Sequence, residues 1–262
     1  MQTVLLLFGG ESTEHEVSIV SATNISRTID TNKYNIMYVF IDRAGKWWQV
    51  PGIVKSVPDG SAQLLPRMGE ASFQIAGSDE VVSPDVIFPV LHGRNGEDGS
   101  VQALAQLLHI PVVGCDMTSS AAAMNKYLTK QVAIANDLQV VPFGIHHIGD
   151  PVPVFEKVSE VLGTTLFIKP ANAGSSVGVH KVQNQDELTA ALEDAHRYDD
   201  IVLMEKSINA RELEVAVLGN YPDIQASVVG EITPEGDFYS YESKYDSSST
   251  SAATIPAEIS PE

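Results

Sequence analysis

Lys169 stands at the end of the apolar run Leu166-Phe167-Ile168, and five residues later the chain reads Gly174-Ser175-Ser176-Val177-Gly178. A lysine beside such a loop offers one fixed cation, two hydroxyls and several backbone N–H groups, a donor set suited to phosphate oxygens. The two glycines allow a ligand to approach the backbone closely. Two more lysines occupy distinctive positions: Lys126 in a helical stretch, and Lys244 in Tyr241-Glu242-Ser243-Lys244-Tyr245. Three ammonium groups converging on a triphosphate would concentrate positive potential there.

Rival chemistries fit less well. Gly174-Ser175-Ser176-Val177-Gly178 also satisfies the G-x-S-x-G pattern of a hydrolase nucleophile elbow, which requires strand, turn and helix. The residues that follow, Val179-His180-Lys181-Val182, alternate and are partly β-branched, so they read as strand. The histidines downstream of Ser176 are His180 and His196, both close in sequence. Neither a G-x-x-x-x-G-K-[ST] loop nor a G-x-G-x-x-G fingerprint is present, and zinc-type cysteine or HExxH patterns are missing. Glu14-His15-Glu16 brings ligand types together, but three consecutive residues on a helix cannot all face one ion.

The elements that must position these groups read as an α/β protein. Residues 3–8 form a strand, Val17–Ile29 a helix, and Tyr34–Ile41 and Lys46–Val50 strands; residues 51–79 are an ill-defined excursion. Val86–Leu91 is a second buried strand. Ser100 is expected to cap a helix over Val101–Leu108. Pro111–Gly114 reads as a short strand and Ser119–Ala135 as one long helix. Strands alternating with helices imply a parallel sheet. From 139 the character shifts to strand 139–143, helix 153–162, strands 165–169 and 178–183, helix 185–196 and strands 200–205 and 211–218. Strands near 224–232 and 238–241 then open a new element. The expected divisions are 1–125, 126–218 and 219–262, the last incomplete.

The 262 residues carry 34 acids and 16 bases, a net charge of −18, which argues against nucleic-acid or anionic-membrane binding. A hydrophobic content of 44% and a charged content of 19% are ordinary for a soluble globular protein. No apolar run reaches bilayer-spanning length, and the start reads as a buried strand and not a signal peptide. The single cysteine, Cys115, excludes an internal disulfide framework. Together these favour the cytoplasm.

At this point the chain resembles the D-alanine–D-alanine ligases of the ATP-grasp superfamily. Six segments carry the likeness in order: Gly9-Gly10-Glu11-Ser12-Thr13-Glu14-His15-Glu16-Val17-Ser18; Leu91-His92-Gly93-Arg94-Asn95-Gly96-Glu97-Asp98-Gly99; Met124-Asn125-Lys126; the lysine–glycine–serine loop; Glu205-Lys206 with Arg211-Glu212-Leu213-Glu214-Val215; and Tyr241–Tyr245. The resemblance implies a Rossmann-like first domain that binds D-alanine, followed by an α+β ATP-grasp module. It implies ATP and Mg²⁺ as cofactors, D-alanine as substrate, a possible homodimer, and a role in making peptidoglycan precursors. One D-alanine carboxylate would be phosphorylated by ATP, and the amine of a second would displace phosphate.

The resemblance also assigns roles. Glu14 matches the glutamate that holds the first D-alanine ammonium, and His92 a histidine near its carboxylate. Lys126, Lys169 and Lys244 match phosphate contacts, and Gly174, Ser175 and Ser176 the lid over the phosphates. Ser175 belongs to a hydrogen-bonded set with Glu14 and Tyr245. Glu205, Lys206 and Ile208 match the adenine-binding connector, and Glu212 the ribose-binding acid. Glu97 and Asp98 are expected only to shape their loop and cap the next helix. Tyr245 goes with dipeptide formation in the family, where phenylalanine goes with D-lactate esters. Ala173 departs from relatives with a larger or charged residue. The family's Mg²⁺ ligands are expected beyond residue 262, so this chain is expected to bind nucleotide weakly and turn over poorly. Another carboxylate–amine ligase of the superfamily, or a non-catalytic nucleotide-binding protein, remain alternatives.

Overall fold

The computed structural model describes residues 1–233 and 252–260. Its first part contains β1 (Gln2–Gly9), α1 (His15–Thr28), β2 (Tyr34–Ile41), β3 (Trp47–Val50), β4 (Ala62–Arg67), β5 (Ser72–Ile75), β6 (Val81–Val82), β7 (Val86–Pro89), α2 (Ser100–Leu108), α3 (Met117–Met124) and α4 (Lys126–Ala135). The strands form one sheet in the order β6-β5-β4-β3-β2-β1-β7. β1 is parallel to both β2 and β7, whereas β2 through β6 are joined antiparallel. The expected parallel sheet is present as β2-β1-β7, and β3 to β6 extend it antiparallel into a mixed sheet. A parallel pair needs a crossover such as α1, while β3 to β6 are connected as hairpins. Two of those strands, β4 and β5, fill the stretch expected to be irregular. Each buries one large apolar side chain, Leu64 and Phe73, and this short alternation is easily lost among glycines and polar residues.

β1 is buried on both faces, and its side chains alternate between two cores. Leu5 and Leu7 pack with Val39, Ile87 and the α2 residues Val101, Ala105 and Leu108. Leu6 and Phe8 pack with Phe40 and the α1 residues Ile19 and Ala22. Full burial of each such side chain contributes about 1.5–3 kcal/mol. Ser18 of α1 joins the two parallel partners: its Oγ accepts from Gly9 N at 2.8 Å and donates to the Val90 carbonyl.

Three local expectations change. Ser100 is the first residue of α2 and not its cap; Gly99 holds the cap position at φ 93°, and Asp98 Oδ1 accepts from Ser100 N at 3.0 Å. The single helix expected over 119–135 is two helices. Asn125 interrupts it in extended backbone (ψ 107°) and caps α4 by accepting from Leu128 N. The expected strand 111–114 is reduced to one parallel bridge between Val112 and Ile87.

The second part contains β8 (Phe143–His147), α5 (Phe155–Leu162), β9 (Leu166–Pro170), β10 (His180–Val182), α6 (Gln185–Ala195) and β11 (Ile201–Lys206). Its sheet runs β10-β9-β11-β8, entirely antiparallel. β8 begins where the sequence placed its end, because Pro142 lacks the N–H a ladder needs. Leu166, Ile168, Val182, Val202 and Met204 face α5 and α6 in a third core. Beyond lie β12 (Glu212–Glu214), β13 (Val217–Leu218), β14 (Gln225–Ala226), β15 (Gly230–Thr233) and β16 (Ala252–Thr254), paired as β12-β15-β16 and β13-β14. The strand expected over 211–218 is thus divided, and that near 238–241 lies outside the described residues.

Candidate active site

The face of the second sheet opposite its core carries the charges. Period-two alternation puts Phe167 and Lys169 of β9 on that face, with Lys181 opposite Phe167 in β10 and Glu205 opposite it in β11. These four side chains line a cavity of about 480 Å³. Lys126, Ala173–Ser176, Lys206, Ile208 and Glu212 complete much of its wall. Four lysines thus meet two glutamates in a chain of net charge −18. Lys126 lies in a helix as expected, as the first residue of α4; its Nζ donates to the Ala173 carbonyl and so braces the glycine-serine loop.

Glu205 is nearly buried and makes two ion pairs, with Lys169 Nζ at 2.7 Å and Lys130 Nζ at 3.1 Å. Burial pushes its carboxyl up, but the charges and hydrogen bonds of Lys169 and Lys130 outweigh this and hold it below the ordinary value. Its side chain is therefore engaged with the floor of the cavity. Lys130 is a residue that the sequence reading missed. Its partner lies 75 positions further on, and no local pattern reveals such a pair. Lys181 was missed too, although its alternation with Val182 on β10 was available as a signal.

The loop after β9 is strained where it curves. Ser175 and Ser176 have φ of 46° and 60°, left-handed values uncommon outside glycine, and Gly178 follows at 65°. A strand, β10, follows the loop, so the strand–turn–helix of a nucleophile elbow is absent here. Ser175 Oγ donates to Glu14 Oε1, across 161 positions of sequence. Glu14 is buried at the start of α1, its backbone N held by Ser12 Oγ at 3.1 Å. Ser12 Oγ in turn donates to the His92 carbonyl at 2.7 Å. Gly93 stands in left-handed backbone at φ +68°, which disfavours a side chain, and a Cβ there would stand 2.6 Å from Glu14 Oε2 and push that carboxylate aside. Two segments expected to bind substrate and phosphate thus meet at one carboxylate.

The remaining expected residues are placed as follows. The His92 ring lies 3.0 Å from Ser21 Oγ of α1 and lines a separate cavity of about 190 Å³ with Gly9, Gly10 and Glu11. Glu97 Oε2 accepts from Gly93 N at 2.7 Å, and Asp98 Oδ2 from Asn95 N at 2.8 Å, so both acids shape the 93–99 loop. Burial raises the Asp98 carboxyl, and the N–H donors of Asn95 and Ser100 bring it below its ordinary value. Tyr241, Lys244 and Tyr245 lie outside the described residues. Among the described residues, no three His, Cys, Asp or Glu side chains gather as metal ligands. No helix among them is long and apolar enough to cross a membrane.

A mixed α/β sheet domain thus meets an antiparallel, lysine-floored α/β module where the glycine-serine loop of the second donates to a buried carboxylate of the first. Two family models match in sequence: D-ala D-ala ligase N-terminus over residues 3–115 and D-ala D-ala ligase C-terminus over 135–262. The D-alanine--D-alanine ligase of Clostridium novyi (strain NT) is 41% identical over 266 residues, covering 99% of this chain and 76% of the relative. The ligase of the same name from Streptococcus pneumoniae (strain CGSP14) is 39% identical, covering 99% and 74%. Among solved structures, the VanG D-Ala:D-Ser ligase from Enterococcus faecalis superposes with a TM-score of 0.85 at 32% identity, over 99% of this chain and 78% of the other. The D-alanyl-alanine synthetase A from Vibrio cholerae O1 biovar eltor str. N16961 gives 0.84 at 32%, over 100% and 76%. The chain belongs to the D-alanine–D-alanine ligase family, whose members are ATP-dependent.

Proposed function

We propose that this chain carries the ATP-dependent joining of two D-alanine molecules to D-alanyl-D-alanine, for peptidoglycan precursors. The contact between Ser175 and Glu14 carries the reading, because it brings the loop suited to phosphate against the acid suited to an ammonium. A carboxylate becomes a good electrophile only when one of its oxygens is turned into a leaving group. A D-alanine carboxylate oxygen attacks the terminal phosphorus of ATP, the bond to ADP breaks, and an acyl phosphate results. The amine of a second D-alanine, once deprotonated, attacks the acyl carbon, and inorganic phosphate leaves with the C–O electron pair.

The chain's own residues supply position and charge. Glu14 would bind the ammonium of the first D-alanine. Lys126 and Lys169, with the loop Gly174–Ser176 and Lys244, would hold the phosphates. Glu205, Lys206 and Ile208 would border the adenine and Glu212 the ribose, and the cavity of about 480 Å³ fits a nucleotide. Tyr245 would complete the set begun by Glu14 and Ser175, and His92 would act from the neighbouring loop. Residues 1–125 would bind D-alanine, and 126–218 with 219–262 the nucleotide. Magnesium, where bound, would supply positive charge against the phosphates; among the described residues no three His, Cys, Asp or Glu side chains gather to hold it. Use of ATP and the single cysteine support a cytoplasmic setting, and a homodimer is the assembly the resemblance suggests.

Phosphate release from ATP, with the product identified by mass, tests this. Release is expected to rise with D-alanine and not with L-alanine, and to fall at least about tenfold in Glu14→Gln and Ser175→Ala. Equal stimulation by other carboxylate–amine pairs would favour a different ligase of the superfamily. ATP binding with no release at any D-alanine concentration would favour a non-catalytic nucleotide-binding protein.

A further inference from the structure

We infer that Asp199, on the turn between α6 and β11, is a positioning residue for the glycine-serine loop. The inference rests on the reading of that loop as the phosphate lid. Asp199 Oδ2 accepts two hydrogen bonds from Asn172, from its backbone N at 2.6 Å and its Nδ2 at 2.7 Å. Asn172 is the second residue after β9, where the loop departs. Asp199 is itself fixed on its other side: Oδ1 accepts from Ile201 N at 3.0 Å, and its carbonyl lies 2.9 Å from His196 Nδ1. The carboxylate therefore collects three N–H groups at once. An amide could not do the same, since its NH₂ would confront a donor.

The contact extends past the loop. Asn172 Oδ1 accepts from Asn125 Nδ2 at 2.9 Å, and Asn125 is the cap of α4. The next residue is Lys126, whose backbone N donates to the Ala171 carbonyl at 2.9 Å. Asp199, Asn172 and Asn125 thus tie the base of the loop to the helix that presents Lys126. The far end of the loop rests on the same turn: a Cβ at Gly178 would stand 2.8 Å from the Tyr198 ring. One turn, residues 196–199, supports the loop at both ends. The span between, which carries the strained Ser175 and Ser176, keeps its shape only while its ends are held. Asp199 does not line the cavity, so it acts through Asn172 and not on the nucleotide.

The test is equilibrium binding of ATP and of adenosine to the 262-residue chain and to Asp199→Ala, Asn172→Ala and the double variant. Asp194→Ala, on the helix α6 that leads into this turn, serves as a control; it removes the His180 and Arg197 contacts but none to residues 171–178. Asp199→Ala and Asn172→Ala are each expected to raise the Kd for ATP about fivefold to tenfold while leaving that for adenosine unchanged. The double variant is expected to lose less than the sum of the singles, because both remove the bond from Asn172 Nδ2 to Asp199 Oδ2, while each also removes bonds of its own. Asn172→Ala leaves the bonds of Asp199 to its own turn intact and keeps the test valid if Asp199→Ala does not fold. Unchanged ATP affinity, equal losses for adenosine, additive losses, or an equal loss in Asp194→Ala would overturn the inference. An unsubstituted chain that binds ATP no better than adenosine would overturn the phosphate-lid reading itself, and this inference with it.

Discussion

Replacing Glu205 by Gln removes the one charge that two lysines share. Lys169 lies 2.7 Å and Lys130 3.1 Å from its oxygens, with side-chain exposures of 28%, 13% and 8% for Lys169, Lys130 and Glu205. At an effective dielectric of about 20, each pair attracts by about 5–6 kcal/mol, and desolvation of the three ions returns most of it. Leaving buried partners unpaired costs about 3–5 kcal/mol. Lys169 is more than a quarter exposed, so water takes up part of its charge, and about 2–3 kcal/mol is expected for Glu205→Gln. That corresponds to a fall in Tm of about 5–10 °C for a chain of this size. The pH dependence gives a second reading. The Glu205 carboxyl titrates below its ordinary 4.5, so its contribution is complete above that value and is lost as pH falls through the lower folded value. The difference between the two proteins should stay flat from about pH 7 to 5 and shrink in stronger acid. Denaturant unfolding across that range, with hydrogen exchange in β9 and β11 to localise the effect, measures both. A cost below about 0.5 kcal/mol at pH 7, or one that grows in acid, would refute the assignment.

Three further outcomes follow from the geometry. Gly9→Ala places a Cβ 2.4 Å from the Ile41 carbonyl at φ +92° and should cost more than about 2 kcal/mol, whereas Gly10→Ala, whose nearest neighbour is 3.6 Å away, should cost only the backbone strain of about 1 kcal/mol; urea unfolding distinguishes them. Ser175→Ala and Glu14→Gln should show a coupling of about 1–2 kcal/mol in a double-mutant cycle of stability, since one hydrogen bond to a charged group joins them. Tyr245→Phe should raise the share of ester over amide when D-lactate competes with D-alanine, read by mass spectrometry of the products; an unchanged ratio removes the role proposed for its hydroxyl.

Much of this architecture was legible because its signals are local. β1 and β2 announce themselves as apolar runs, and the strand–loop–strand around Ser175 follows from alternation on either side of the glycines. The break at Asn125 was also written locally, as an Asn cap followed by a helix, but apolar spacing on both sides disguised it. Hairpins β4 and β5 were hidden because Leu64 and Phe73 each need so few apolar neighbours in sequence. The site divides in the same way. Lys126, Lys169, Ser175 and Glu212 could be read from motifs, and the structure gathers Lys126, Lys169, Ser175 and Glu212 around one cavity. Lys130 and Asp199 could not be read, since each acquires its meaning from a partner on another strand or loop.

The alternation of β9 has a consequence for how the chain reaches its native state. Phe167 and Lys169 face the cavity because Leu166 and Ile168 face the core, so one choice of pleat settles both. Slipping β9 by a single residue against β11 would drive Lys169 into the apolar layer beneath α6 and lift two aliphatic side chains into water. The cost of burying an ammonium among leucines rejects that mispairing early. The ammonium of Lys169, which serves the proposed phosphate site, thereby also proofreads strand registry, and a variant with a neutral side chain at 169 would lose a safeguard against misfolding as well as a ligand contact.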